Sequence, residues 1–226
     1  MGGKVDFDEH TENYNALLRE SLGFFSSDDE YFARYKVDLV KKSLGAEPQR
    51  ILEYGCGIGR NIPFLRDSFP KAAIDGSDVS ELSLDMAREQ HPDNFFFLEA
   101  GQTDGEPYDL IFVASVFHHI PPAERQRVTE SLVQRLRPGG ILCVFEHNPY
   151  NPITRRIVNN CIYDADAVLL KPQELKGLFK NSGLDLRTFE YCLFIPPKLK
   201  ALSWIERYLG WLPLGGQYWI CGTRPS

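Results

Sequence analysis

The sequence predicts an α/β fold in which a parallel sheet carries helices on both faces. From Arg50 onward, short apolar segments typical of buried strands alternate with segments of helical length. The first of these strands runs directly into a turn with glycine at positions 55, 57 and 59. Parallel strands that are joined by right-handed crossovers end at one edge of the sheet, so we expect a ligand site there.

Each element follows from its own pattern. Apolar runs predict strands at 50–54, 72–77, 94–98, 108–114, 141–147, 184–194 and 216–223. Capping residues and helical periodicity predict helices at 10–22, 28–44, 60–68, 80–90, 122–136 and 172–182. Asn151 followed by Pro152 suits one more helix start. The segment 196–215 is too long for a tight turn between the last two strands, and we expect a helix within it.

Size, charge and cysteine usage limit the function classes. The 226 residues suffice for one domain with appendages. A formal net charge of −6 does not favour a nucleic-acid substrate. No apolar run reaches the roughly 18–20 residues of a membrane helix, and the polar, acidic N-terminus is no secretory signal. The five scattered cysteines form no C-x-x-C pair, so we expect reduced thiols and a cytoplasmic protein.

Four motifs in one order resemble the class I S-adenosylmethionine-dependent methyltransferases. These are the glycine turn with Glu53 before it, and the segments Asp75–Ser80, Tyr108–Ala114 and Leu136–Leu142. The resemblance implies a Rossmann-like, seven-stranded, mostly parallel sheet with an antiparallel C-terminal strand. It also implies S-adenosylmethionine as cofactor and in-line methyl transfer to a small-molecule acceptor, with O-methylation slightly preferred. The domain itself would span 49–226, and residues 1–48 would form an N-terminal helical cap.

The resemblance further implies roles for the residues at the strand ends. Glu53 would orient the amino group of the cofactor, and Asp78 would accept hydrogen bonds from both ribose hydroxyls. Val79 would pack on the adenine, and Ser80 would cap the next helix. The other residues expected at the cofactor are Gly55, Cys56 and Gly57 beside the methionine moiety, Ala100 and Gly101 after the third strand, and Ala114 near the sulfonium.

Catalytic and acceptor-binding residues are expected at the same edge. A base for a hydroxyl nucleophile would come from His119, His118 or Glu146, although a structural histidine is the competing interpretation. The polar segment 146–172 would face the acceptor. Ubiquinone-type O-methyltransferases carry Glu-x-x-Glu-His where this chain has Ser-Val-Phe-His-His, so we expect no metal. The residues expected at the acceptor are Tyr31, Tyr35, His147, Asn148 and Arg155.

Several alternatives stay open. The aromatic residues Trp204, Tyr208 and Trp211 suit packing against the domain best, with a membrane interface or a hydrophobic acceptor as alternatives. The N-terminal cap, with Tyr14, Phe24 and Phe25, would act as a lid. A NAD(P)-dependent oxidoreductase is disfavoured because Arg60 replaces the third glycine of that fingerprint. A catalytically silent binding or scaffold subunit would need neither the intact glycine turn nor an acid at position 78.

Overall fold

The computed structural model describes residues 29–99, 105–161 and 164–226. The predicted helix at 10–22, the lid residues Tyr14, Phe24 and Phe25, and the expected cofactor contacts Ala100 and Gly101 lie outside the described residues. Within them, the helices are α1 (Asp29–Ser43), α2 (Ile62–Ser68), α3 (Glu81–Gln90), α4 (Arg125–Arg135), α5 (Pro152–Asn160) and α6 (Pro172–Asn181).

The seven strands form one sheet, as predicted. They are β1 (Arg50–Tyr54), β2 (Ala73–Asp78), β3 (Phe95–Leu98), β4 (Tyr108–Ala114), β5 (Leu136–His147), β6 (Asp185–Cys192) and β7 (Gln217–Thr223). Their order is β3-β2-β1-β4-β5-β7-β6, and β7 runs antiparallel to both of its neighbours. The Rossmann-like sheet with an antiparallel C-terminal strand is therefore confirmed.

Alternate residues of the central strands bury themselves on opposite faces of the sheet. Ile51 of β1 packs in a core with α1, α2 and α3, whereas its neighbour Leu52 packs in a second core with α4 and α6. Because both faces are covered, β4 is apolar at nearly every position, and this explains its unbroken apolar run. The prediction of helices on both faces is confirmed.

Strand β5 begins five residues before the predicted position 141. Leu136 pairs with Tyr108, and the register between β4 and β5 then shifts before Leu110 pairs with Ile141. Gly139 adopts a φ of +79°, which an L-residue rarely adopts. The Arg-Pro-Gly-Gly run therefore forms an irregular extension of the strand, and the predicted start at 141 was too late.

The cysteines contradict the sequence prediction in part. Cys56, Cys161 and Cys192 are buried and form no disulfide, as expected, but Cys143 and Cys221 form a disulfide. These two residues lie directly opposite each other on β5 and β7, with their Cα atoms 4.3 Å apart. Only the register of an antiparallel pair brings them together, because they are separated by 78 positions in the sequence.

Removing this disulfide is expected to lower the stability of the protein. Cys221→Ser should reduce the free energy of unfolding by up to about 4–5 kcal/mol, the loop-closure entropy of a 78-residue loop. Chemical denaturation of the oxidised protein measures the loss, and Cys161→Ser is the matched control at a buried cysteine outside the disulfide. Alkylation in denaturant should modify three cysteines before reduction and five afterwards. Five modified cysteines without reductant would contradict the bond.

The segment between β6 and β7 is helical but does not pack as expected. A 3-10 helix spans Pro197–Tyr208, and Trp204, Tyr208 and Trp211 are 58%, 58% and 76% exposed. The packing interpretation of these aromatic residues was therefore wrong. The buried Glu206 holds the segment instead, because its carboxylate accepts hydrogen bonds from the Tyr35 hydroxyl and, at 2.8 Å, from the Ile195 amide.

The site region follows from this topology. The chain order reverses between β1 and β4, so a crevice opens at their carboxyl ends. The ends of β1, β2, β4 and β5 bring the glycine turn, Asp78, Ala114 and His147 to this one edge. Among the described helices, none has a segment that is both long and apolar enough to cross a membrane.

Candidate active site

The turn after β1 depends on glycine at two positions for different reasons. Gly55 has a φ of +69°, and a Cβ there would collide with the side chain of Val116. Gly57 has a φ of +52°, but a Cβ there would point into open space. The amide of Gly57 donates to Oδ2 of Asp78 at 2.8 Å, so the turn is fastened to the end of β2.

Glu53 is buried at the end of β1 and is only half satisfied. Its Oε1 accepts a 2.6 Å hydrogen bond from Nδ2 of Asn61, whereas Oε2 has no partner among the described residues. Burial raises the pKa of Glu53 to about 8, with a further contribution from Asp78, although the bond from Asn61 acts in the opposite direction. An unpaired carboxylate oxygen at this depth is costly unless a ligand supplies a donor.

Asp78 and Ser80 organise the end of β2. The second oxygen of Asp78 accepts a 3.0 Å bond from the Ser80 amide, and the Ser80 hydroxyl caps α3 by accepting from the Ser83 amide. Burial raises the pKa of Asp78 although these backbone amides lower it. Val79, between them, is 63% exposed and faces the crevice. The predicted cap at Ser80 is confirmed.

A cavity of about 630 Å³ runs along this edge of the sheet. At one end it is lined by the glycine turn, Asp78, Val79 and Ala114. At the other end, apolar side chains surround a few polar ones, and these residues are Phe32, Ala33, Lys36, His118, His119, Ile120, His147, Ile153, Ile157, Asp164, Phe194 and Leu214. The volume is typical of a site that binds one or two small molecules.

Histidines and acids form a hydrogen-bonded group, here called the polar cluster: His118, His119, Glu146, His147, Asp164 and Asp166. The carboxylate of Glu146 accepts from Nδ1 of His118 at 2.7 Å, and from the backbone amides of Val116 and Phe117. On the other side of the ring, Nε2 of His118 lies 3.3 Å from Oδ1 of Asp164. His119 places Nδ1 3.2 Å from Oδ1 of Asp166.

The three histidines of the polar cluster differ in pKa and therefore in charge. Burial would lower the pKa of His118, but the carboxylates of Glu146 and Asp164 outweigh it and raise that pKa to about 9. Burial lowers the pKa of His147 to about 4, and the neighbouring His118 adds to this effect. Burial and His118 together lower the pKa of His119 as well. His119 and His147 are thus neutral near pH 7, while His118 carries the positive charge.

The structure brings together only some of the residues that the sequence singled out for the acceptor. His147 lines the cavity, whereas Asn148 is buried and donates to the carbonyl oxygens of Pro213 and Gly215. Arg155 lies in a separate surface groove on α5. Tyr31 and Tyr35 lie on α1 beside the cavity but do not line it. The roles of these residues therefore stay predictions.

Sequence reasoning missed Lys36, which is buried on α1 and lines the cavity. Its burial lowers the pKa of the ammonium group, although Glu146 and Glu53 act in the opposite direction. One signal was present in the sequence. Lys36 interrupts the apolar stripe formed by Ala33, Val37 and Val40, and a charge on a buried helical stripe often serves a site.

Comparison with known proteins agrees with this geometry. Residues 52–142 match a family model described as a methyltransferase domain. The chain is 34% identical to trans-aconitate 2-methyltransferase of Rhodopseudomonas palustris over 110 residues, which are 47% of this chain and 42% of that protein. It is 27% identical to a tRNA N(3)-methylcytidine methyltransferase of Drosophila melanogaster over 169 residues, 65% of this chain and 52% of that protein. The chain thus spans about half the length of the curated relatives it matches.

The fold also has solved counterparts. Phosphoethanolamine N-methyltransferase 2 of Haemonchus contortus, solved with S-adenosyl-L-methionine, superposes with a TM-score of 0.66 at 15% identity, over 99% of this chain and 61% of that one. A structural match at this low sequence identity shows a shared fold. The family match over residues 52–142 includes the ends of β1 and β2, where the glycine turn and Asp78 lie. Fold, motifs and relatives together support a class I S-adenosylmethionine-dependent methyltransferase, and the family model itself covers less than half of the chain.

Proposed function

We propose that this protein transfers the methyl group of S-adenosylmethionine to a hydroxyl oxygen of a small-molecule acceptor. One observation carries the proposal: a single continuous cavity joins the glycine turn and Asp78 to the imidazole of His119. A cofactor site and a base that open into the same enclosed space meet the geometric requirement of a transferase. Alignment of two bound reactants alone can contribute roughly 7–11 kcal/mol to the rate acceleration.

The residues at the β1 and β2 ends fit the cofactor. Among the described residues, Oε2 of Glu53 is buried without a donor, and an ammonium group would supply one. The open space beside Gly57 leaves room for the methionine moiety, and Asp78 lies at the strand end where a ribose can be held. When bound, S-adenosylmethionine supplies a methyl group that its sulfonium already activates. The protein therefore has to position the acceptor, remove its proton and exclude water.

His119 is the base in this proposal. Its Nδ1 lies 3.2 Å from Oδ1 of Asp166, and its Nε2 lies 3.5 Å from Oδ1 of Asp164. In the tautomer that donates from Nδ1 to Asp166, Nε2 carries the lone pair that would accept the proton of an acceptor hydroxyl. His118 is fully buried between Glu146 and Asp164, and both of its ring nitrogens are engaged. Glu146 is also buried and already accepts three hydrogen bonds. Glu146 would therefore act as a positioning residue.

A small acceptor suits the remaining walls. Ile153, Ile157 and Phe194 would contact its apolar part, and the buried ammonium of Lys36 would attract a carboxylate or phosphate. Residues 1–48 would cap the site, since Phe32 and Lys36 of α1 already contribute to its wall. The net charge of −6 argues against a polyanionic acceptor such as tRNA.

A cytoplasmic location stays a prediction, and the disulfide counts against it because such bonds are rare in the cytoplasm.

Thermal unfolding with S-adenosylmethionine, S-adenosylhomocysteine and NADH tests the cofactor. Ligand at about 100 times its Kd adds about 2.7 kcal/mol of stability, a Tm increase of roughly 5–10 °C for a domain of this size. We expect this increase with the two adenosyl ligands alone and its loss in Asp78→Ala. Asp85→Ala, at an exposed carboxylate of α3, should keep it. An increase with NADH instead would favour an oxidoreductase and overturn the proposal.

The affinity for the cofactor should depend on pH through Glu53. Its pKa of about 8 means that the apo protein holds a proton on this carboxyl at neutral pH. A cationic amino group binds the ionised form, so the Kd should fall by up to about tenfold per pH unit from about pH 6 to 7.5. Calorimetric titrations over this range measure the slope. Glu53→Gln, which cannot ionise, should show a flat profile, and an equal slope in that variant would contradict the assignment.

A further inference from the structure

Three members of the polar cluster have the composition of a metal site. The imidazoles of His118 and His147 and the carboxylate of Asp164 each offer one ligand atom, and these atoms all lie within 4.8 Å of one another. We propose that these three side chains bind a divalent transition-metal ion at the acceptor end of the cavity. The inference concerns ion binding alone and does not depend on the methyl-transfer proposal.

The donor set suits such an ion. Two imidazole nitrogens and one carboxylate oxygen are ligands that Zn²⁺, Co²⁺, Mn²⁺ and Fe²⁺ accept. Ligand atoms around a tetrahedral Zn²⁺ at 2.0–2.1 Å are separated by about 3.3 Å. The distance from Nε2 of His118 to Oδ1 of Asp164 is already 3.3 Å. His147 has to approach the other two ligands more closely, from a separation of at most 4.8 Å.

The surroundings of His118 resemble the outer shell of a metal site. A histidine ligand usually donates its other ring nitrogen to a carboxylate, and this fixes the lone pair toward the ion. Here Glu146 accepts from Nδ1 at 2.7 Å and is itself held by two backbone amides. The lone pair of Nε2 then points toward Asp164. Without an ion, a proton on Nε2 takes that position, so ion and proton compete for it.

His147 has a comparable partner in Gln217. The side-chain amide nitrogen of Gln217 lies 3.5 Å from Nδ1 of His147, while its Oε1 is buried with no partner among the described residues. Turning this amide would present Oε1 to Nδ1–H of His147 and to the Ser115 hydroxyl, which lies 3.3 Å from the amide nitrogen. The Nε2 lone pair of His147 would then be available to the ion.

The position of the cluster indicates what the ion would bind next. All three side chains line the cavity, so three protein ligands would leave at least one coordination position facing it. Open positions are characteristic of metal sites that bind a substrate, whereas structural sites are closed. The expected additional ligand is a hydroxyl or carboxylate oxygen of whichever molecule occupies this part of the cavity. The sequence suggested no metal because the two glutamates of the ubiquinone-type motif are missing. His118 stands at the second glutamate of that motif, whereas His147 and Asp164 come from other elements.

Direct ion binding tests the site. The full-length protein, stripped with a chelator and dialysed, would be titrated with Co²⁺ by visible absorption and with Zn²⁺ by calorimetry, without S-adenosylmethionine. We expect one ion per chain. His147→Ala and Asp164→Asn should weaken binding by at least about tenfold. Asp166→Asn is the matched control, because this carboxylate also pairs with His119 but is not one of the three proposed ligands.

Two results would overturn the proposal. One is the absence of stoichiometric Co²⁺ and Zn²⁺ binding by the wild-type protein. The other is equal binding by Asp164→Asn and Asp166→Asn, which would place the ion elsewhere, for example on a free cysteine. Thermal unfolding of each variant shows whether it folds, and the wild-type titration decides the question even if one variant does not. Failure of the cofactor test described above would leave these results unaffected, so the two proposals can fail separately.

Discussion

His119→Ala is expected to lower kcat for methyl transfer by about 10²–10⁴-fold, the usual contribution of a positioned general base. The reason is geometric. With Asp166 accepting from Nδ1 of His119, Nε2 of the same ring would accept the proton of the acceptor hydroxyl. The measurement is the rate of S-adenosylhomocysteine formation with an acceptor found by screening hydroxylated metabolites against the wild-type enzyme.

Three further measurements distinguish a base from a residue that only supports the fold. If His119 is a base, its alanine variant should keep the Tm increase with S-adenosylmethionine, because His119 lies at the other end of the cavity from Asp78. Added imidazole should restore part of the rate by occupying the vacated space. The rate of the variant should also rise with pH as the acceptor hydroxyl ionises in solution. An unchanged kcat would mean that the nucleophile is already anionic, as a carboxylate is, and would refute the assignment of a base.

The second large expected effect is a difference in stability between alanine variants of two glycines in the turn after β1. Gly55→Ala should destabilise the protein by about 2–5 kcal/mol, because strain at a φ of +69° adds to a collision with Val116. Gly57→Ala has a similar φ of +52° but no atom within 4 Å of the new Cβ. Its effect on stability should therefore be the conformational strain alone, about 1–2 kcal/mol. Urea denaturation of both variants measures the difference.

The two variants should differ in the opposite sense in cofactor binding: Gly57→Ala, the more stable of the two, should be the one that binds S-adenosylmethionine poorly. The Cβ of Gly57→Ala enters the open space that the cofactor is proposed to occupy, so this well-folded variant should lose the Tm increase with S-adenosylmethionine. Val116→Ala combined with Gly55→Ala should recover part of the lost stability by removing the methyl groups that collide. If Gly57→Ala binds the cofactor as tightly as the wild type does, the cofactor does not lie against this turn.

The sequence alone predicted the sheet and the residues that stand at the carboxyl ends of β1 and β2. The glycine turn directly follows β1, and Asp78 lies two residues before the helix cap Ser80, so both could be read from local spacing; their roles at a cofactor stay predictions. Apolar runs identified the central strands β1 and β4 because burial on both faces leaves few polar positions within them. Most of the edge strand β6 is exposed or half-buried, so burial on both faces does not explain its prediction. Most element boundaries agree within one or two residues.

Tertiary structure decided the features that depend on residues far apart in the sequence. The Cys143–Cys221 bond follows from the register of β5 against β7, which no local pattern encodes. The exposure of Trp211 follows from the inward position of Glu206, although the spacing of the aromatic residues alone suggested a packed helix face. Lys36 reaches the cavity because α1 packs across the sheet edge.

The polar cluster illustrates the same division most clearly. The sequence marked His118, His119 and Glu146 as chemically important, but it did not show that Glu146 is buried behind His118 or that Asp164 faces it. Hydrogen-bond partners determine which nitrogen carries a proton and which group can accept one, and those partners come from β4, β5 and the segment after α5. Residue identity thus set the available chemistry, whereas the folding of distant segments onto one sheet edge assigned each group its place, because protonation depends on burial and neighbouring charge.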